Sequence, residues 1–170
     1  MDLENPMIKA IRDRRSIRKY CDGKISKRTL ETIVDCGRLA PTSNNRQTWE
    51  FVVVTDQEKL RQLAGLATYG KFIAHAQACI VVCSGPNNRS MYLDGSAATQ
   101  NMLLAIHSLG LASCWVQAVE KDYNQAIKNL LKIPNEFFLV SMVPVGLPDK
   151  EAKMPKKRPL KELLHWESFQ

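Results

Sequence analysis

Four cations and a hydroxyl fall within the six residues Arg14-Arg15-Ser16-Ile17-Arg18-Lys19, and Tyr20 closes the run. In extended backbone, alternation sets Arg14, Ser16 and Arg18 on one side and Arg15, Ile17 and Lys19 on the other. Two guanidinium forks flanking one hydroxyl suit a phosphate, because Arg donates in a planar, bidentate geometry and does not lose its charge. A solvated basic loop has the same composition, so other parts of the chain must decide between the two.

The charge distribution favours an anion site. The net charge is +7 over 170 residues, with basic residues crowded into the first thirty positions and again from Lys150 to Lys161. Two basic ends that meet in the fold make one anion site, whereas a nucleic-acid binder shows a continuous stripe with a groove-reading element. The aromatics are few and sit in apolar context, which argues against base-stacking platforms. His75, His107 and His165 have no metal-ligand spacing, so no metal site is expected. The five cysteines (Cys21, Cys36, Cys79, Cys83 and Cys114) include no C-x-x-C, and most lie among apolar residues. They read as reduced, buried thiols. Cys21 differs in lying beside the basic run, where cations lower a thiol pKa, although a structural or incidental role is the preferred reading. No signal-like segment or membrane-length apolar run is present, so the chain reads as a cytoplasmic protein.

The elements that must position these residues follow from caps and periodicity. Asn5-Pro6 starts a helix ending near Asp13, and Ser26 caps a second that ends near Gly37. The loop from Ala40 to Thr48 has turn composition throughout and leads into a strand over Trp49–Thr55. Asp56 caps a short helix, a helix or turn spans Tyr69–His75, and Ala78–Cys83 reads as a strand covered on both faces. A long helix from about Arg89 to Leu109, closed by Gly110, is apolar well beyond one stripe. Ala112–Val116 reads as a strand, Asp122 and Gln125 as the capping box of a helix, and Phe137–Val145 as a further strand. From about residue 147 an extended basic tail follows, with a last turn or strand near Leu160–Trp166. The whole, residues 1–170, reads as one layered domain of alternating helices and strands. Neither a G-x-G-x-x-G fingerprint nor a Walker phosphate loop is present, which disfavours a dinucleotide-binding Rossmann domain.

Taken together, four co-linear motifs resemble the FMN-dependent nitroreductase family: Arg14-Arg15-Ser16-Ile17-Arg18, Pro41-Thr42-Ser43-Asn44-Asn45-Arg46-Gln47-Thr48-Trp49, Gly110-Leu111-Ala112-Ser113-Cys114-Trp115, and Lys156-Lys157-Arg158-Pro159-Leu160. The resemblance implies a dimeric α+β fold of three layers, α/β/α, with a mixed, mostly antiparallel central sheet flanked by helices. It implies FMN as cofactor. Arg14, Ser16 and Arg18, helped by Arg15, match the phosphate and ribityl contacts, and Arg158, with Lys156 or Lys157, matches the cation closing over the same phosphate. Thr42, Ser43 and Asn45 match a loop that contacts the flavin from the neighbouring subunit, so the site is expected at the interface of a homodimer. Val116, Gln117 and Ala118 match a strand end whose amides lie near the reactive ring nitrogen.

The implied activity is hydride transfer from NADH or NADPH through flavin N5 to nitroaromatics, quinones or similar electrophiles in a ping-pong cycle. The flavin supplies the chemistry, so no catalytic side chain is assigned. Dehalogenation or flavin breakdown on the same scaffold is the alternative, and a basic nucleic-acid module is the reading from another class. Two departures stand out. Thr48 replaces a proline and is expected to loosen its loop, and Leu66–Arg89 is short for the lid helices that shape acceptor pockets. No Arg or Lys is assignable to a 2′-phosphate.

Overall fold

The computed structural model describes residues 5–86, 90–150 and 152–169. Among them the elements run α1 (Pro6–Asp13), β1 (Tyr20–Cys21), α2 (Lys27–Arg38), β2 (Trp49–Val54), α3 (Gln57–Leu66), β3 (Ala78–Ser84), α4 (Met91–Ser108), β4 (Ala112–Ser113), β5 (Val116–Gln117), α5 (Asn124–Leu131) and β6 (Phe138–Pro148). Short 3₁₀ turns lie at Ser43–Asn45, Lys71–His75 and Leu160–Glu162. None of the helices is long and apolar enough to cross a membrane among these residues.

Local chemistry starts three of the helices. Asn5 Oδ1 accepts from the Ile8 amide at 3.0 Å, Ser26 Oγ from Thr29 at 3.0 Å, and Asp56 Oδ1 from Lys59 at 2.9 Å. Each bond satisfies an amide that the first turn leaves without an intrahelical partner. The capping box expected at Asp122 does not form. Helix α5 begins after Tyr123 with no side-chain cap. Gln125 reaches away from the helix start, donating to Asn129 Oδ1 at 3.0 Å and Asn135 Oδ1 at 2.9 Å. The start expected for α4 at Arg89 lies outside the described residues; within them the helix runs from Met91.

Strand β6 is the spine of an antiparallel sheet. It pairs with β3 along most of its length, and on its other edge with β1, β4 and β5 in turn. Val145, for example, lies opposite both Ala78 and Ser113. The single strand expected at Ala112–Val116 is therefore two short pieces, each in register with β6. Strand β3 is buried along its whole length. Its odd residues Cys79, Val81 and Cys83 join α3 and α5 on one face, while Ala78, Ile80 and Val82 join α2 and α4 on the other. Period-two alternation thus divides the core into two layers around the sheet.

The alternation slips once. The β3–β6 register shifts between Val82 and Cys83, leaving Val140 as the extra residue of a bulge in β6. Helix α4 meets that point with small residues. A Cβ on Gly95 would lie 2.7 Å from a Val140 methyl. Beside it the buried hydroxyls of Thr99 and Ser141 share a 2.7 Å hydrogen bond, and Thr99 also donates to the Gly95 carbonyl at 2.7 Å. Overpacking such a contact costs about 1–3 kcal/mol. Gly95→Val is accordingly expected to lower stability by about 2 kcal/mol in urea unfolding. An unchanged midpoint would mean that α4 shifts freely against β6.

Candidate functional site

The basic run is held open rather than folded into an element. It begins at Arg14, where α1 ends with the Arg14 amide donating to the Ala10 carbonyl at 3.0 Å. Ile17 N–H then donates to the Ser113 carbonyl at 2.9 Å, which pins the run against β4. Tyr20 enters β1 with its hydroxyl donating to the Ile17 carbonyl at 3.1 Å. Burial of the ring pushes the Tyr20 phenol pKa well up. Its ring lies where a side chain at Gly146 would project, so only glycine fits beneath it.

Within the run, Arg15 turns inward on α1 and donates to the carbonyls of Arg12 and Arg14. A cation there complements the negative end of the helix. Arg14, Arg15, Ser16 and Arg18 line a cavity of about 680 Å³ with Ile11, Arg12 and Gln100; residues 152–155 and Lys157 of the tail form the facing wall. No Asp or Glu lines this cavity among the described residues. The two basic ends of the chain therefore do meet.

Of the tail cations expected at the site, one lines the cavity. Lys157 and Lys153 line the cavity, whereas Lys156 and Arg158 do not. Arg158 is engaged within the tail, with its guanidinium on the Glu162 carboxylate at 3.5 Å and on the Glu162 carbonyl at 3.1 Å.

Arg18 also borders a second, smaller cavity of about 270 Å³, formed with Tyr69, Phe72, Cys114, Trp115, Val116, Gln117 and Lys121. The Arg18 guanidinium stands over the Phe72 ring at 5.8 Å, within cation–π range. Ala118 is buried beside this cavity, and its amide donates to the Val140 carbonyl at 3.1 Å. In an antiparallel ladder paired and unpaired residues alternate, so the Gln117 N–H points away from β6. The Gln117 carbonyl accepts from Tyr123 Oη at 2.9 Å, which fixes that edge.

Thr42, Ser43 and Asn45 line neither cavity. Their loop is nonetheless tightly built. Asn44, Asn45 and Gln47 hold positive φ of 51°, 53° and 49°, a region that non-glycine residues rarely adopt. Ser43 N–H donates to the buried Asp94 carboxylate at 3.3 Å, and Gln47 N–H to Thr42 Oγ1 at 3.2 Å. Thr48 does not loosen the loop as expected. Its hydroxyl pairs with Ser84 Oγ at 3.1 Å, and its carbonyl accepts from Gly85 N–H at 2.7 Å.

The nitroreductase family model matches residues 11–70 and 67–147, most of the chain, including the basic run and the β5 residues that line the smaller cavity. The chain belongs to the nitroreductase family. It is 39% identical over 150 residues to a protein of Archaeoglobus fulgidus provisionally named an NADH dehydrogenase/NAD(P)H nitroreductase, covering 85% of this chain and 86% of that one. It is 27% identical over 188 residues to a Bacillus subtilis FMN reductase [NAD(P)H], covering 97% and 75% of the two chains. An FMN-dependent nitroreductase structure from Clostridium difficile superposes with a TM-score of 0.89 at 34% identity, covering 95% of this chain and 99% of that one.

Four thiols of this nitroreductase-family chain, Cys21, Cys79, Cys83 and Cys114, have raised pKa values. Burial pushes Cys79 and Cys83 up to about 12 and also raises Cys114, against the opposing pull of Arg18, Ser16 and Arg14. Cys21 is raised too, by slight desolvation and then by Asp149, whose carboxylate lies 3.8 Å from its sulfur. The adjacent cations do not lower it as the sequence suggested, because Asp149, brought in by the β1–β6 pairing, is the closer charge. In the native protein at pH 8, only Cys21 and the half-buried Cys36 are expected to react readily with a thiol reagent. Asp149→Asn should lower the Cys21 pKa and speed its alkylation severalfold; an unchanged rate would exclude the carboxylate as the cause.

Proposed function

We propose that the chain is an FMN-dependent NAD(P)H oxidoreductase that reduces nitroaromatics, quinones or similar flat electrophiles. The observation that carries this reading is a cationic cavity joined through Arg18 to an aromatic-walled one. Those two environments match the two halves of a flavin mononucleotide, a phosphate dianion and a flat aromatic ring system. The cationic cavity, at about 680 Å³, falls in the range that ligand sites occupy, and the aromatic one, at about 270 Å³, adjoins it through Arg18. FMN, when bound, supplies the hydride-accepting and electron-delivering chemistry.

The residues of the chain would then bind and orient. Arg14, Ser16 and Arg18 would hold the phosphate and the sugar-alcohol chain, with Lys157 as the tail cation in place of Lys156 or Arg158. Arg15 would act indirectly, by capping α1 and fixing the loop. Val116 and Gln117 would border the ring, with the outward-facing Gln117 N–H as the available backbone donor. A donor fixed in the sheet needs no reorganisation when negative charge develops beside it. Arg18 would place a permanent positive charge where phosphate and ring sites join. No proton-transferring side chain is required, and the raised pKa of Cys114 keeps that thiol from acting as a nucleophile.

Thr42, Ser43 and Asn45 would serve the site of a second copy of the chain. Support comes from their place outside both cavities, from the loop's strained backbone, and from the apolar residues left exposed. Met7, Ile11, Leu39, Leu93 and Leu109 on or beside α1, α2 and α4, and Leu160, Leu163, Trp166 and Phe169 in the tail, are all more than 45% exposed. Large exposed apolar groups in such number mark an interface.

Purified protein is expected to be yellow, to run at twice the monomer mass, and to bleach anaerobically with NADH or NADPH. A nitroaromatic or quinone should then restore its colour. A colourless protein that takes up no added FMN overturns the proposal. Arg14→Ala should weaken FMN binding about tenfold or more, the scale of a charge-assisted hydrogen bond, by equilibrium dialysis.

A further inference from the structure

Among the described residues Asp94 is the one buried carboxylate, at 6% exposure, and it lines neither cavity of the candidate site. Burying a carboxylate is costly unless hydrogen bonds replace the water it loses. Asp94 sits in the first turn of α4, where the positive end of the helix favours negative charge, and its Oδ1 accepts from Ser43 N–H at 3.3 Å. The bond belongs to a larger mounting of the Thr42–Thr48 loop on this helix. The two roots of the loop, Ala40 and Trp49, pack with Ala98 in a small core of their own. Further along, Asn101 Nδ2 donates at 3.2 Å to the carbonyl of Cys36, in the last turn of α2. Residues 94, 98 and 101 are spaced i, i+4 and i+7, which puts them on one face of α4. Gln100, which lines the cationic cavity of the same chain, falls about 120° round the helix.

We infer that Asp94 is a positioning residue for the cofactor of the opposite protomer: the buried carboxylate of one chain sets the loop that closes the FMN site of its partner. The inference rests on the reading above that Thr42, Ser43 and Asn45 serve a second copy. The apolar roots fix where the loop leaves the core, and Asp94 grips the peptide that joins Thr42 to Ser43. Three left-handed residues follow, so a freed Ser43 amide lets strained backbone relax away from the geometry the second copy needs. Two exposed apolar side chains adjoin the arrangement in sequence, Leu39 before the first root and Leu93 before Asp94. They put the loop and the start of α4 beside the face assigned to the second copy. One helix thus carries a wall of its own chain's site on one side and the mounting of the partner's loop on another.

The test is FMN binding by homodimers and by mixed dimers. The Asp94→Ala homodimer should bind FMN about tenfold more weakly than wild type. Asp94→Asn keeps an acceptor for the Ser43 amide and should bind within about threefold of wild type. If Asp94→Ala does not fold, Asp94→Ser takes its place, since the shorter side chain falls short of Ser43. Dimers of one Arg14→Ala chain and one Asp94→Ala chain, isolated through two affinity tags, then assign the side. Twofold symmetry gives such a dimer one site with both defects and one with neither. It should take up about one FMN with wild-type affinity, although neither parent homodimer binds at that strength. A carboxylate that merely stabilises its own chain leaves no such intact site. A mixed dimer without a tight site overturns the inference, and with it the assignment of the loop to the partner. An Asp94→Ala homodimer that binds like wild type, or Asp94→Asn binding as weakly as Asp94→Ala, overturns the inference and leaves that assignment standing. Wild-type protein that binds no FMN overturns both the inference and the function on which it rests.

Discussion

Strand β6 is the constraint on which the site depends. Its backbone is paired on both edges, with β3 along one side and β5, β4 and β1 in succession along the other. That second edge positions the candidate site. Register with Ser141 and Met142 orients Gln117 and Val116, register with Val145 places Ser113 to receive the Ile17 amide, and register with Leu147 and Pro148 aligns the exit of the basic run with the start of the tail. Bringing so many cations together is electrostatically unfavourable. The work of holding them is done elsewhere, by a strand whose residues from Leu139 to Gly146 are buried in a two-sided core. The site is a charged surface feature stabilised by hydrogen bonds and apolar contacts it does not itself make.

The same division appears among the arginines. Arg15 stands in the middle of the basic motif yet turns to the carbonyls ending α1, so that the direction of Arg14 and Ser16 is set by a helix cap. Arg18 does the opposite, projecting between two cavities with its guanidinium over Phe72. The loop from Thr42 to Thr48 tolerates three left-handed non-glycine residues because Asp94, Thr42 Oγ1 and Ser84 bind it at successive points. A backbone so restrained keeps its shape without a ligand, which is the condition for presenting polar groups at a fixed spacing.

What could be read in the sequence was whatever a few neighbouring residues decide. Asn5, Ser26 and Asp56 were visible as caps because a cap bond spans three residues, and β3 was visible because a doubly covered strand is apolar throughout. The expected meeting of two basic ends also holds. What could not be read depends on partners distant in sequence. The bulge at Val140 lies against Gly95 of α4, and the strand expected over Ala112–Val116 is split in two by the register of β6. The direction of the Cys21 pKa was misjudged because Asp149, remote in the chain, outweighs the cations beside it. Which of Lys156, Lys157 and Arg158 lines the cavity could not be read from composition, because it depends on the path the tail takes. Thr48 looked like a loss of rigidity, since its partner Ser84 is visible only in three dimensions.

The pairing of β1 with the end of β6 also governs when the site can exist. Cys21 and Pro148 are 127 residues apart in sequence, and the Cys21 thiol lies 3.5 Å from the Pro148 carbonyl. Closing so long a loop carries an entropic cost that rises only slowly with length, but contacts between distant segments form late and fold slowly. During synthesis the helices and the β2–β3 hairpin can organise as they emerge, while the N-terminal arginines wait for β6 and the tail. Since β6 is the last strand made, the anion cavity is completed after nearly all the rest of the molecule. An early-released or C-terminally truncated chain would therefore retain much of its local structure and none of the wall that faces its arginines.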